Sequence, residues 1–258
     1  MTVPSGAGAP TEAGTSADLA EPIITFFVVT GLCSALYWIG RGVPFVAGNL
    51  HVAIAFLFLA APAVAARLSR HPFDYEAAGL RLDPVARGLE VLGAALALTW
   101  PLFFAGFLLY YGSVCRTHGS AAAALVDWLT PQCVHWRGWA GARLAWTPDL
   151  ALSALNQLLV VAVPEELFFR GYLQGRLESR FVPRRDLLGA KVGPATLISS
   201  GLFALGHVLV DLNPARFAVF VPGLVFSWMR SRTGAIAAGA LYHALCNVYS
   251  DVVHRSFF

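Results

Sequence analysis

Three short groups of polar residues interrupt otherwise apolar sequence, and each is chemically equipped for acid–base work. The first is Pro164-Glu165-Glu166-Leu167-Phe168-Phe169-Arg170. Carboxylates and guanidinium groups cost about 2.5–3.5 kcal/mol each at mid-bilayer on insertion scales, so such residues ordinarily face a bundle interior and serve a function. Their spacing divides the work. Glu166 and Arg170 are i, i+4 with the acid N-terminal, the favoured order for an ion pair within one helix. Glu165 is turned about 100° from Glu166 and has no mate on its own helix. It needs a partner from another helix, or a proton. A desolvated carboxyl of that kind suits a general base. Pro164 takes one N–H out of the helical ladder just before the pair and can open the helix there. The plain alternative, an ion pair that only fixes packing, fits Glu166 with Arg170 better than it fits Glu165.

The second group is Phe203-Ala204-Leu205-Gly206-His207, with Asp211 one turn further and able to orient the ring. A lone His on an apolar face reads as a satisfied core residue. The third is His243-Ala244-Leu245-Cys246-Asn247. His243 and Asn247 share a helix face, and two donors so placed can hold a developing oxyanion or simply bond across helices. Taken together, three separate apolar runs each carry a costly polar set. Convergence on one cavity would satisfy them all.

The elements that must position these groups are membrane helices. Of 258 residues, 57% are hydrophobic and 13% charged, against roughly 45–50% and about 25% in soluble domains. That excludes a disordered chain and argues against a water-soluble enzyme. Apolar runs near 22–40, 49–66, 88–111, 149–173, 193–212, 215–230 and 234–253 approach the ~20 residues that cross a bilayer. An eighth is possible at 119–130. The expected fold is all-α: a polytopic bundle of seven to eight spans with its active site inside the membrane. Residues 1–21 read as a flexible tail and 22–258 as a single domain with its motif-bearing core at 149–254. No Lys or Arg precedes the first run, so that run reads as a retained anchor rather than a signal peptide.

Net charge is +3, carried by 17 Arg and one Lys without a basic stripe, which excludes nucleic acid as a partner. With the N-terminus inside, inner loops hold eleven basic residues and outer ones six, so the bias favours a cytoplasmic N-terminus. The Lys-poor, Ala- and Gly-rich composition points to a bacterial inner membrane. Cys33 and Cys246 lie in apolar runs as small hydrophobes. Cys115 and Cys133 share one polar stretch and are expected as two free thiols, with a disulfide the alternative in an oxidising compartment. That stretch, 111–148, carries Trp128, Trp136, Trp139 and Trp146 and reads as lying on the membrane surface, with a gating lid the lesser alternative.

EELFFR at 165–170, FALGH at 203–207 and HALCN at 243–247 match, in order, the EExxxR, FxxxH and HxxxN motifs of the CAAX-prenyl-protease and bacteriocin-processing (CPBP, or Abi) family of intramembrane proteases. The resemblance covers roughly residues 149–254. It implies that Glu165, helped by His207, activates a water for attack on a peptide carbonyl, and that His243 and Asn247 stabilise the oxyanion. Glu166 and Arg170 would hold the helix geometry, and Phe203 would pack beside the site. It also implies a membrane-anchored protein or peptide as substrate, in a lipid bilayer. Family members are described both as metalloproteases and as glutamic-type proteases. No HExxH helix is present. With Glu166 committed to Arg170, a cofactor-free glutamic mechanism is expected, and Glu165, His207 and His243 are the zinc ligands of the alternative. Competing functions are a non-catalytic relative, such as an immunity or assembly factor, and a proton-coupled transporter. The transporter reading expects repeated halves, and none are evident.

Overall fold

The computed structural model describes residues 17–70, 72–116, 130–146 and 148–258. The expected eighth span at 119–130, most of it, and Trp128 lie outside the described residues, as does the tail up to residue 16. The chain is mostly helical, as expected. Its helices are α1 (Ala17–Gly40), α2 (Pro44–Ser69), α3 (Val85–Val114), α4 (Leu150–Arg180), α5 (Pro194–Asp211), α6 (Phe220–Thr233) and α7 (Ala237–Phe257). A two-stranded antiparallel hairpin, β1 (Arg185–Leu187) and β2 (Ala190–Val192), joins α4 to α5, with Arg185 opposite Val192. Helix begins at Ala17, inside the segment 1–21 expected as a flexible tail.

Helices α1 to α5 are long and apolar enough to cross a membrane. The remaining expected spans, in α6 and α7, differ. Helix α6 has 14 residues, about 21 Å, and α7 carries the polar third motif. Large apolar side chains such as Phe45, Phe56, Leu102 and Leu152 are exposed on the outer surface. An apolar shell of this extent is suited to lipid rather than water. The core is aromatic: Phe26, Phe58, Phe168, Phe169, Phe203 and Phe226 pack in one cluster with Tyr172 and Tyr242, with edge contacts such as Phe169 on Phe203 at 5.0 Å.

Cross-element bonds sort the connections into two ends. At one end, Arg176 of α4 approaches Glu21 of α1 at 3.9 Å, Ile236 N–H donates to Gly79 O, and Arg232 donates to Gly189 O in the hairpin turn. At the other, Ser34 bonds Val210 O, and residues 130–146 dock on the end of α7 through Arg137 N–H to Phe257 O and Arg143 N–H to Ser256 O. Trp136 stacks on Phe257 at 5.6 Å. A disulfide joins Cys115 to Cys133 at this second end, which corrects the expectation of two free thiols. Cys33 and Cys246 are free.

Candidate active site

Helix α4 is built to spread its polar residues. Two π-helical stretches, Gln157–Ala162 and Leu167–Gln174, flank one α-helical turn at Val163–Glu166. Val163 N–H reaches Leu158 O, five residues back. Pro164 has no N–H to give, so a regular ladder would be interrupted here in any case, and wide turns of this kind recur at functional sites. The carbonyl of Phe169, in the second stretch, accepts a hydrogen bond from the Ser199 hydroxyl of α5 at 2.8 Å. The helix runs to Arg180, which sets Glu165 at the middle of 31 residues and level with His207 on α5.

Arg170 is fully buried. Its Nη1 lies 3.2 Å from Glu166 Oε1, and its Nη2 donates to Gly223 O at 3.1 Å. The guanidinium also lies over the rings of Phe203 and Phe226, at 4.2 and 5.0 Å, where ring faces attract a cation. Gly223 makes this approach possible. A Cβ there would stand 3.3 Å from both Arg170 Nη2 and Phe203 Cδ1.

Glu166 has a second partner that its own helix could not reveal. His243 Nδ1 lies 3.1 Å from Glu166 Oε1. The expected role of Glu166, to pair with Arg170 and fix the helix, is therefore incomplete: it also orients an imidazole from α7. The ring of His243 stacks on Phe226 at 4.7 Å. With Nδ1 bound to Glu166, its Nε2 points to Glu165, 3.9 Å from Oε2.

His207 reaches the same oxygen from the other side, with Nε2 at 4.0 Å from Glu165 Oε2. Its Nδ1 lies 2.9 Å from Phe203 O. A carbonyl can only accept, so Nδ1 carries the proton and Nε2 of the neutral ring is a free lone pair. Asp211 does not orient this ring, contrary to expectation; it pairs with Arg216 instead. Phe203 packs 4.5 Å from the His207 ring.

Asn247 donates from Nδ2 to Gln157 Oε1 at 2.9 Å. Gln157 was not among the expected site residues. In an unbroken α-helix, residues eight apart stand roughly 80° apart around the axis; one wide turn removes about 100° and brings them to within about 20°. The π stretch starting at Gln157 thus brings it toward the Glu165 face, and both line one cavity of about 710 Å³. The adjacent amides Asn156 and Gln157 in an apolar run were the signal available in the sequence.

Glu165 Oε2 is buried and has no hydrogen bond within the structure. A carboxylate oxygen between two imidazole nitrogens, opening on a cavity, can take a proton from a water held there. As for a metal, the residue types are those of zinc sites, but among the described residues no three His, Cys, Asp or Glu side chains form a chelating group. Tetrahedral zinc donors at 2.0–2.2 Å stand about 3.3–3.6 Å apart, closer than the 3.9–4.0 Å separations around Glu165.

Residues 147–249 match the family model described as type II CAAX prenyl endopeptidase Rce1-like. No curated protein and no solved structure matches the chain. The matched segment contains Gln157, all three motifs and every residue of the converging site, and over that segment the chain is similar to this family.

Proposed function

We propose that the chain is an intramembrane endopeptidase that hydrolyses peptide bonds of membrane-anchored proteins or peptides with a water activated by Glu165. The observation that carries this reading is the unbonded Oε2 of Glu165 between His243 Nε2 at 3.9 Å and His207 Nε2 at 4.0 Å. A water at hydrogen-bonding distance, about 2.8 Å, from both ends of a 4.0 Å separation subtends about 90°, an acceptable angle for its two bonds. One water can thus touch Glu165 and an imidazole together. Glu165 takes the water's proton as its oxygen attacks the carbonyl carbon. His207 Nε2, a lone pair in the neutral ring, takes that proton from Glu165 and passes it to the departing amine nitrogen as the C–N bond breaks, which returns Glu165 to its carboxylate form. Asn247, with one amide N–H on Gln157, has its second N–H for the oxyanion, and His243 Nε2 joins it when the ring is protonated. Phe203 walls the site, and Glu166 with Arg170 holds the helix and the His243 ring. No step is routed through a metal, and the reading is of a glutamic-type enzyme. Composition supports a bacterial inner membrane as its location.

The test is cleavage of a membrane-anchored substrate by purified protein in bilayers. Glu165→Gln is expected to abolish cleavage and leave the melting temperature unchanged. Survival of cleavage in that variant refutes the base assignment. Treatment with a strong chelator is expected to leave activity intact, and loss that zinc restores overturns the metal-free mechanism.

A further inference from the structure

The cavity over Glu165 is not central between the two ends of the bundle. Above the site, toward the disulfide end, α5 continues only from His207 to Asp211, about 6 Å. The chain then turns through Pro214–Val219 and descends as α6. Helix α4 reaches much further the same way, from Glu165 back to Leu150, and so does α7, from His243 to Phe257; each spans about 21–22 Å. The bundle wall is therefore notched over α5 and α6. The cavity fills that notch: besides the catalytic groups it is lined by Tyr37, His51, Asp211, Arg216, Asp251 and His254, which all stand toward the disulfide end of their helices. Toward the opposite end, α5 continues thirteen residues below His207, to Pro194, about 20 Å, and the aromatic core closes the site from below.

Two independent features tell the ends apart. Arg67, Arg70, Arg81 and Arg87, the α4 tail and hairpin from Arg176 to Lys191, and Arg230 with Arg232 put eleven Lys and Arg at the closed end, whereas the notched end has six. Excess Lys and Arg in short loops marks the cytoplasmic side. The Cys115–Cys133 disulfide sits at the notched end, and such bonds persist in oxidising compartments and are rare in the cytosol. Charge and redox chemistry agree, although neither depends on the other.

Building on the proteolytic reading above, we infer that the catalytic notch opens on the non-cytoplasmic face of the membrane and receives segments of exported, membrane-anchored polypeptides. A scissile bond reaches Glu165 by passing the Asp211–Arg216 pair and entering a cavity walled mainly by apolar side chains such as Ile54, Phe58 and Val161. A substrate must therefore present an extended apolar stretch just below the outer surface. Cytoplasmic tails are excluded by some 20 Å of packed helix.

The experiment is thiol labelling of intact cells that make the full chain, with a membrane-impermeant maleimide and the unsubstituted protein as background. Phe217 is exposed in the turn at the notch, and Arg184 is exposed at the other end. The Phe217→Cys variant is expected to label in intact cells, and the Arg184→Cys variant only after permeabilisation. The reverse pattern, or labelling of both before permeabilisation, overturns the orientation. In the same cells Cys115 and Cys133 are expected to resist alkylation until a reductant is added, and alkylation without reductant overturns the redox half of the inference. Neither readout uses cleavage, so the orientation fails or stands separately from the Glu165→Gln test.

Discussion

Replacing Glu166 and Arg170 by leucine, singly and together, separates what the pair does for stability from what it does for catalysis. Arg170 is fully buried, and its charge is met by Glu166 Oε1 at 3.2 Å, one backbone carbonyl and two ring faces. Glu166→Leu leaves that guanidinium without the carboxylate it touches. Removing one member of a buried pair costs about 3–5 kcal/mol. At roughly 2–4 °C per kcal/mol for a chain of this size, the melting temperature falls by about 6–20 °C. Arg170→Leu costs less, because Glu166 still accepts a hydrogen bond from His243 Nδ1 at 3.1 Å. In the double variant no charge is orphaned, and apolar replacement of a buried pair is often neutral or better, so most of the lost stability returns. Activity does not return. His243 loses the carboxylate that holds its Nδ1–H, a contact whose removal from comparable His–carboxylate pairs costs on the order of 10²–10⁴ in rate. The assays are thermal unfolding in detergent and cleavage of a membrane-anchored peptide at matched folded fraction. A double variant that melts as low as Glu166→Leu, or one that cleaves like the unsubstituted chain, refutes the reasoning.

Gln157→Ala removes the acceptor that holds Asn247 and should slow cleavage by about 10-fold or more with little change in melting temperature; Gln157→Glu, which keeps the acceptor oxygen, should restore most of it, read as kcat against KM. Gly223→Ala forces a methyl to within 3.3 Å of Arg170 Nη2 and Phe203 and should destabilise by about 1–3 kcal/mol, measured by unfolding. Cys115→Ser with Cys133→Ser opens a loop of 18-residue separation and should cost about 3 kcal/mol, seen as a lower melting temperature without reductant.

The candidate trio was legible in the sequence because polar residues in apolar helices are expensive and therefore conspicuous. Glu165, His207 and His243 stand out for that reason, and the absence of an i+4 mate identified Glu165 as the one that needed help from elsewhere. Helix periodicity reports only neighbours on one helix, however. It displayed the Glu166–Arg170 pair and concealed the His243 contact, which comes from a helix 77 residues later. It also put Asp211 on the face of His207, whereas a charged neighbour beyond the helix end, Arg216, claims that carboxylate. Gln157 was passed over for a different reason: regular 100° steps turn it about 80° from Glu165, and only the π turns, which no residue pattern announces, bring it round. Seven apolar runs were readable, but among the described residues only five helices are long and apolar enough to cross a membrane, and the ends shifted by several residues because helices extend into polar sequence such as 174–180.

The charges of the site further constrain its resting state. Two carboxylates and one guanidinium converge within one buried cluster, with Glu166 and Arg170 both almost wholly inaccessible. Left so, the cluster holds one uncompensated negative charge in a medium where such a charge is costly. The Asp211–Arg216 and Asp251–Arg255 pairs nearby are internally balanced and do not relieve it. Hydrolysis of a peptide bond needs one proton to leave water and one to arrive at the amine, and in the proposed mechanism Glu165 takes the first and a flanking ring delivers it to the second. The two rings are held differently: His243 Nδ1 lies on the Glu166 carboxylate, and His207 Nδ1 on the Phe203 carbonyl. The division predicts unequal substitutions: His207→Gln should slow the step that protonates the amine and show a larger effect on substrates with poor leaving groups, whereas His243→Gln should slow all substrates alike. Equal sensitivity of both variants to leaving-group basicity would show that the proton has no preferred carrier.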